Sequence, residues 1–96
     1  MNFRDLEYLV AVADLRHFGQ AAAQCHVSQS ALSLQLQKLE TELGVQLIER
    51  TSRRVVVAPA GRALVERARG ILLSKQELLD DAALEEIGRA SCRERV

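Results

Sequence analysis

Six side chains in the first half of the chain stand at a spacing that could do chemistry on a partner: Ser28, Gln29, Ser30, Ser33, Leu34 and Gln37. On a helix they share one outward stripe, while Val27, Leu32, Leu36 and Leu39 make the opposite, apolar stripe. Hydroxyls and amides pair with base edges and phosphate oxygens, and an apolar tip such as Leu34 can touch a thymine methyl. The chemistry implied is reading of double-stranded DNA, with no bond made or broken. A second group, Arg50, Arg53 and Arg54, lies within five positions with Glu49 the only acid among them. Such a cluster can grip phosphates.

Other candidates carry less. Cys25 and His26 are neighbours, but they lack the four-ligand spacing of a structural zinc site and a third group to orient a base. Cys25 reads as a small buried hydrophobe. Two cysteines, Cys25 and Cys92, do not imply a disulfide in a cytoplasmic chain. No catalytic residue, metal or cofactor is expected, and the chain does not read as an enzyme; a thiol enzyme on Cys25 would need a depressed thiol pKa.

These residues need elements to hold them. The 96 residues are 48% hydrophobic and only 3% aromatic, so the core is aliphatic, and one proline leaves little room for a β-rich fold. The fold class expected is mainly α. Apolar residues at Leu6, Leu9, Val10, Val12 and Ala13 predict a helix over Asp5 to Arg16, capped by Asn2 and closed by Leu15 and Phe18. Gly19 is the expected turn. A short alanine-rich helix covers about Gln20 to Cys25, and Cys25-His26-Val27 turns the chain. Ser28 then caps a longer helix that ends at Leu43 with Gly44 beyond it. A short helix, a tight turn and a longer helix with a polar outer face outline a helix-turn-helix.

Val45, Leu47 and Ile48, then Val55, Val56 and Val57, flank ERTSRR and predict a small β-hairpin, or wing. Pro59 starts a long helix at its first position. Its apolar residues at Ala63, Leu64, Ala68, Ile71, Leu72, Leu78, Leu79 and Ala82 form a stripe longer than a small domain covers. A partner helix is the expected cover, which makes Leu64, Ala68, Ile71, Leu72, Leu78 and Leu79 the dimerisation residues. The last eleven residues, EIGRASCRERV, break the pattern, with Gly88 interrupting the helix. A common short-read sequencing adapter can spell the same string in one reading frame. The organisation expected is therefore a DNA-binding unit at 1–58, a linker helix at 59–85 and translated adapter at 86–96.

Thirteen basic and thirteen acidic residues give a net charge of zero, which argues mildly against nucleic-acid binding. The distribution tempers this. Acids gather late, at Glu66, Glu77, Asp80, Asp81, Glu85 and Glu86, away from the arginine cluster. No apolar run approaches the roughly 18 residues of a membrane span, and the first residues do not read as a signal peptide. The location expected is cytoplasmic, without a membrane partner.

The stretch MNFRDLEYLVAVADLRHFGQAAAQCHVSQSALSLQLQKLETELGVQLIERTSRRVVVAPAG resembles the N-terminal domain of LysR-type transcriptional regulators. Within that family RDLEYLVAVA, CHVSQ and LIERTSRR resemble the OxyR-like, peroxide-responsive subgroup. The resemblance implies a winged helix-turn-helix, a linker helix that pairs two chains, and a C-terminal α/β effector domain that is absent from this sequence. It places DNA contacts at Ser28, Gln29, Ser30 and Ser33, at Gln37 and the wing residues Arg53 and Arg54, and at Arg50 and Arg4. It also implies homodimers, tetramers in full-length members, and contact with RNA polymerase by the full-length protein. Some positions depart from the family pattern: Ser30 stands where proline is frequent, and Leu34 and Gln37 where basic residues are. Ala58 replaces the usual capping threonine, at a cost of roughly 1 kcal/mol. The function expected is sequence-specific transcriptional regulation, as activator and dimer. The alternative is a dimerising module that titrates full-length chains.

Overall fold

A computed structural model describes residues 1–50 and 55–92 of the chain, with side chains at 1–49 and 55–84. Helix α1 spans Phe3–Leu15 and starts in a reciprocal cap. The Asn2 side-chain oxygen accepts from the Asp5 backbone N–H at 2.9 Å, and the Asn2 N–H donates back to the Asp5 carboxylate at 3.3 Å. The acid at Asp5 also suits the positive end of the helix. The helix therefore begins two residues earlier than its apolar pattern suggests, because capping sets the start.

The turn after α1 is not made by Gly19. Arg16 takes the left-handed conformation, with φ 54°, and its N–H donates to the Val12 carbonyl at 2.8 Å. His17 then caps α2, Phe18–Cys25, through an imidazole nitrogen that accepts from the Gln20 N–H at 3.0 Å. Gly19 sits inside that helix. A Cβ there would lie 2.9 Å from the His17 ring, so its smallness lets the capping imidazole fold back over the first turn.

Helix α3 spans Gln29–Leu43. Its stop is the one the sequence signals: Gly44 has φ 72° and donates its N–H to the Glu40 carbonyl at 2.8 Å. Strands β1, Ile48–Arg50, and β2, Val55–Val57, pair antiparallel with Ile48 opposite Val57 and Arg50 opposite Val55. Helix α4 then runs over Pro59–Cys92. It continues through Gly88, contrary to the expected interruption. A single interior glycine costs a helix only about 1 kcal/mol relative to alanine and does not by itself end one.

The core is shared by all these elements. Leu9 and Val12 of α1, Ala21 of α2, and Leu32, Leu36 and Leu39 of α3 are all but fully buried, as is Leu47 at the start of the wing. Val65 and Ala68 of α4 join the same cluster. The alanines of α2 serve the purpose their size suggests, with Ala21 and Ala22 letting neighbouring backbones come close. Gly61 is the tightest approach. A Cβ there would meet the Leu47 carbonyl oxygen at 2.8 Å and the Leu47 Cα at 2.9 Å, so only glycine lets the first turn of α4 lie against the wing strand. Ala58 joins the two by donating its N–H to the Leu47 carbonyl at 2.8 Å.

Ion pairs tie α4 to α1. The Arg69 guanidinium clamps Asp14 with two nitrogens and reaches Glu66 at 3.1 Å. Lys75 lies 3.8 Å from Glu7 and 5.0 Å from the centre of the Phe3 ring. The described residues extend 59 × 25 × 19 Å, and the long dimension reflects α4 projecting past the three-helix unit.

Candidate nucleic-acid interface

Helix α3 begins at a serine whose backbone is extended, φ −75° and ψ 156°. The Ser28 hydroxyl oxygen accepts from the Ala31 N–H at 3.0 Å. Ser28 is thus the cap that starts the helix, and it stands exposed at the tip.

Gln29, Ser30, Ser33, Leu34 and Gln37 line one shallow, open concavity along α3. All are exposed except Ser33, which is half-buried. Among the described residues no side chain hydrogen-bonds to the Gln29 or Gln37 amide. Opposite them Leu32, Leu36 and Leu39 lock the helix into the core, each at most 1% exposed. Five of the six residues of the stripe read from the sequence line this one surface, and Ser28 stands at the helix start beside it.

The helix is held on either side by contacts the sequence did not single out. Before it, the end of α2 closes with the His26 N–H on the Ala23 carbonyl and the Val27 N–H on the Ala22 carbonyl, around a left-handed His26. Arg4 adds a clamp: one guanidinium nitrogen donates to the Cys25 carbonyl at 2.9 Å and another to the Tyr8 hydroxyl at 3.2 Å. The guanidinium assigned to DNA by resemblance is thus engaged with the turn before α3. After the helix, one Glu40 carboxylate oxygen accepts from the Leu47 and Ile48 N–H groups at 2.8 and 3.0 Å. Glu40 ties the root of the wing to α3. An acid bordering the apolar stripe just before a turn was the only sequence signal for it.

Arg50 belongs to β1, but its side chain, together with Arg53 and Arg54, lies outside the described residues. Cys25 is buried, and burial pushes its thiol pKa up. A nucleophilic thiol needs the opposite shift. Among the described residues no group of three or more His, Cys, Asp or Glu could hold a metal ion, and no helix is long and apolar enough to cross a membrane.

The expected dimerisation stripe divides. Ala68 is 2% exposed within its own chain, and Leu64 and Leu72 pack partly against the same core. Ala68 is therefore no free contact for a second chain: it belongs to the core of its own domain, against which the first half of α4 lies. Ile71, Leu78 and Leu79 are exposed, as are Leu73 and Leu84, which the sequence reading left out.

Three helices with a polar-faced third helix and a two-stranded hairpin define a winged helix-turn-helix of the DNA-binding class. Residues 3–62 match the family described as "Bacterial regulatory helix-turn-helix protein, lysR family". The chain belongs to the LysR family. It is 58% identical over 83 residues to a "Hydrogen peroxide-inducible genes activator" of Pectobacterium carotovorum subsp. carotovorum, covering 86% of this chain and 28% of that protein. It is 57% identical over 83 residues to the "DNA-binding transcriptional dual regulator OxyR" of Escherichia coli K12, again covering 86% of this chain and 27% of the relative. The chain thus spans under a third of the length of these relatives. Among solved structures, full-length OxyR C199D from Pseudomonas aeruginosa superposes with a TM-score of 0.84 at 40% identity, covering 88% of this chain and 28% of that one. A CbnR DNA-binding domain in complex with DNA gives a TM-score of 0.84 at 40% identity, covering 90% of this chain and 99% of that one. The chain is a LysR-type, OxyR-like helix-turn-helix domain.

Proposed function

We infer that the chain binds double-stranded DNA sequence-specifically, with α3 in the major groove and the wing against the backbone. The observation that carries this is the uncommitted polar face of α3 on a helix fixed by its buried leucines. The structural likeness to a domain solved on DNA supports it. In this reading Ser28 holds a phosphate while Gln29, Ser30, Ser33 and Gln37 meet base edges, a glutamine amide suiting adenine. Arg50, Arg53 and Arg54 add phosphate contacts. Arg4 acts through the turn it clamps. Ile71, Leu78 and Leu79 pair two chains and so set the spacing of half-sites.

The resemblance to peroxide-inducible activators extends the reading to regulation of transcription under oxidative stress in the cytoplasm. RNA polymerase and higher oligomers are partners of the longer protein. A second reading rests on the exposed leucines of α4: the chain pairs with full-length regulators and titrates them without touching DNA.

Selection from a pool of randomised duplexes separates the two. Enrichment of one sequence supports the first reading; no enrichment over the starting pool supports the second. With an enriched duplex, Gln37→Ala should relax preference at one position, at about 1–3 kcal/mol. Arg53→Ala should weaken every duplex alike and lower the salt slope by about one. Unchanged salt dependence would remove Arg53 from the phosphate contacts.

A further inference from the structure

Leu34 is 50% exposed, and it shares its concavity with Gln29, Ser30, Ser33 and Gln37, all polar. It stands one helical turn beyond Ser30 and one before Gln37, near the middle of the outward face. The apolar demand of the helix is already met on the far side by Leu32, Leu36 and Leu39. From Gln29 to Gln37 the sequence QSALSLQLQ contains no charge. The face that meets the groove is therefore neutral, and selectivity must come from hydrogen bonds and shape.

An isobutyl group at the centre of such a face meets one kind of apolar feature in a major groove, a methyl on C5 of a pyrimidine. We propose that Leu34 is a specificity-determining residue that reads a pyrimidine C5-methyl group. The inference rests on the DNA-binding reading above and adds the chemistry of one base to it. Gln37 lies three residues on, about 4.5 Å along the helix axis, against a rise of about 3.4 Å per base pair. That separation lets the two side chains meet different bases: an amide suited to adenine and an alkyl tip suited to a methylated pyrimidine. Thymine and 5-methylcytosine both present this methyl.

The experiment uses a duplex selected by the wild-type chain, with deoxyuridine replacing each thymine in turn. Deoxyuridine removes the methyl and keeps the pairing. Desolvating one methyl corresponds to about a fourfold change in affinity. Wild type should lose about that factor at one position per half-site, and Leu34→Ala should bind the thymine and deoxyuridine duplexes equally. At that position, cytosine and 5-methylcytosine duplexes are then compared. Recovery of about fourfold on methylation is expected, since the methyl itself is read; no recovery overturns the pyrimidine-methyl reading. The proposal is overturned if wild type ignores deoxyuridine everywhere, or if Leu34→Ala keeps the full deoxyuridine penalty. If no duplex is selected at all, the DNA-binding reading fails and takes this one with it. A selected duplex that is indifferent to deoxyuridine overturns the Leu34 assignment alone.

Discussion

Leu36 and Leu78 are the same residue on the same kind of element, yet one is 1% exposed and the other 67%. Leu36 lies on α3, where α1 and α2 stand opposite. Leu78 lies on the outer part of α4, on the rim of an open concavity that it shares with Phe3 of α1 and Ile71, and no described residue buries it. Periodicity tells a helix which side is apolar; what fills the space beyond that side decides whether the apolar groups are buried. The two regions differ in purpose accordingly. The helix-turn-helix is fixed by its own core, while the outer part of α4 presents side chains to whatever joins it.

The largest expected effect puts that contrast to the test. Leu36→Ala should destabilise the fold by about 2–5 kcal/mol, through lost burial and a residual cavity. Leu78→Ala should stay within about 0.5 kcal/mol at concentrations where the chain is monomeric. Urea titration of both variants checks this, and comparable losses would mean that α4 is covered even in the monomer. Sedimentation at rising concentration sharpens it, since Leu78→Ala should self-associate less than wild type.

A middle-sized effect comes from two glycines of the same helix. Gly61→Ala forces a methyl against the Leu47 backbone and should cost about 1–3 kcal/mol. At Gly70 a Cβ meets nothing within 4 Å, so Gly70→Ala should stabilise by about 0.4–1 kcal/mol. Melting temperatures moving in opposite directions would confirm that α4 is packed at its start and open further along. Equal shifts would contradict it.

The smallest effect concerns the strap between the two regions. Hydrogen bonding to Arg69 holds the Asp14 carboxyl below its usual pKa. A depressed carboxyl contributes stability above its unfolded pKa and loses it as pH falls through the folded value. Stability should therefore drop as pH falls below the usual carboxylate range, by under about 1 kcal/mol because Asp14 is 47% exposed. Asp14→Asn should lack that increment at neutral pH. An identical acid titration in Asp14→Asn would show that the pair contributes nothing.

Local chemistry was largely legible. Ser28, Gly44 and Pro59 mark element ends through caps, φ angles and a missing N–H, properties each residue carries with it. The amphipathic pattern of α3 placed its polar face correctly for the same reason. Gly19 misled because a left-handed Arg16 supplied the turn, held by its hydrogen bond to Val12. Gly88 misled because a glycine weakens a helix without ending it.

The sequence by itself determined the winged helix-turn-helix outline, the family and the residues of the outward face. These follow from propensity, capping and period, which act over a few residues. Only the tertiary structure decided that Arg4 bonds the Cys25 carbonyl, that Glu40 anchors the wing, that Gly61 must be glycine, and that Ala68 belongs to its own core while Leu78 stands open. Each of these depends on groups distant in sequence meeting in space, and a one-dimensional pattern carries no record of what stands opposite.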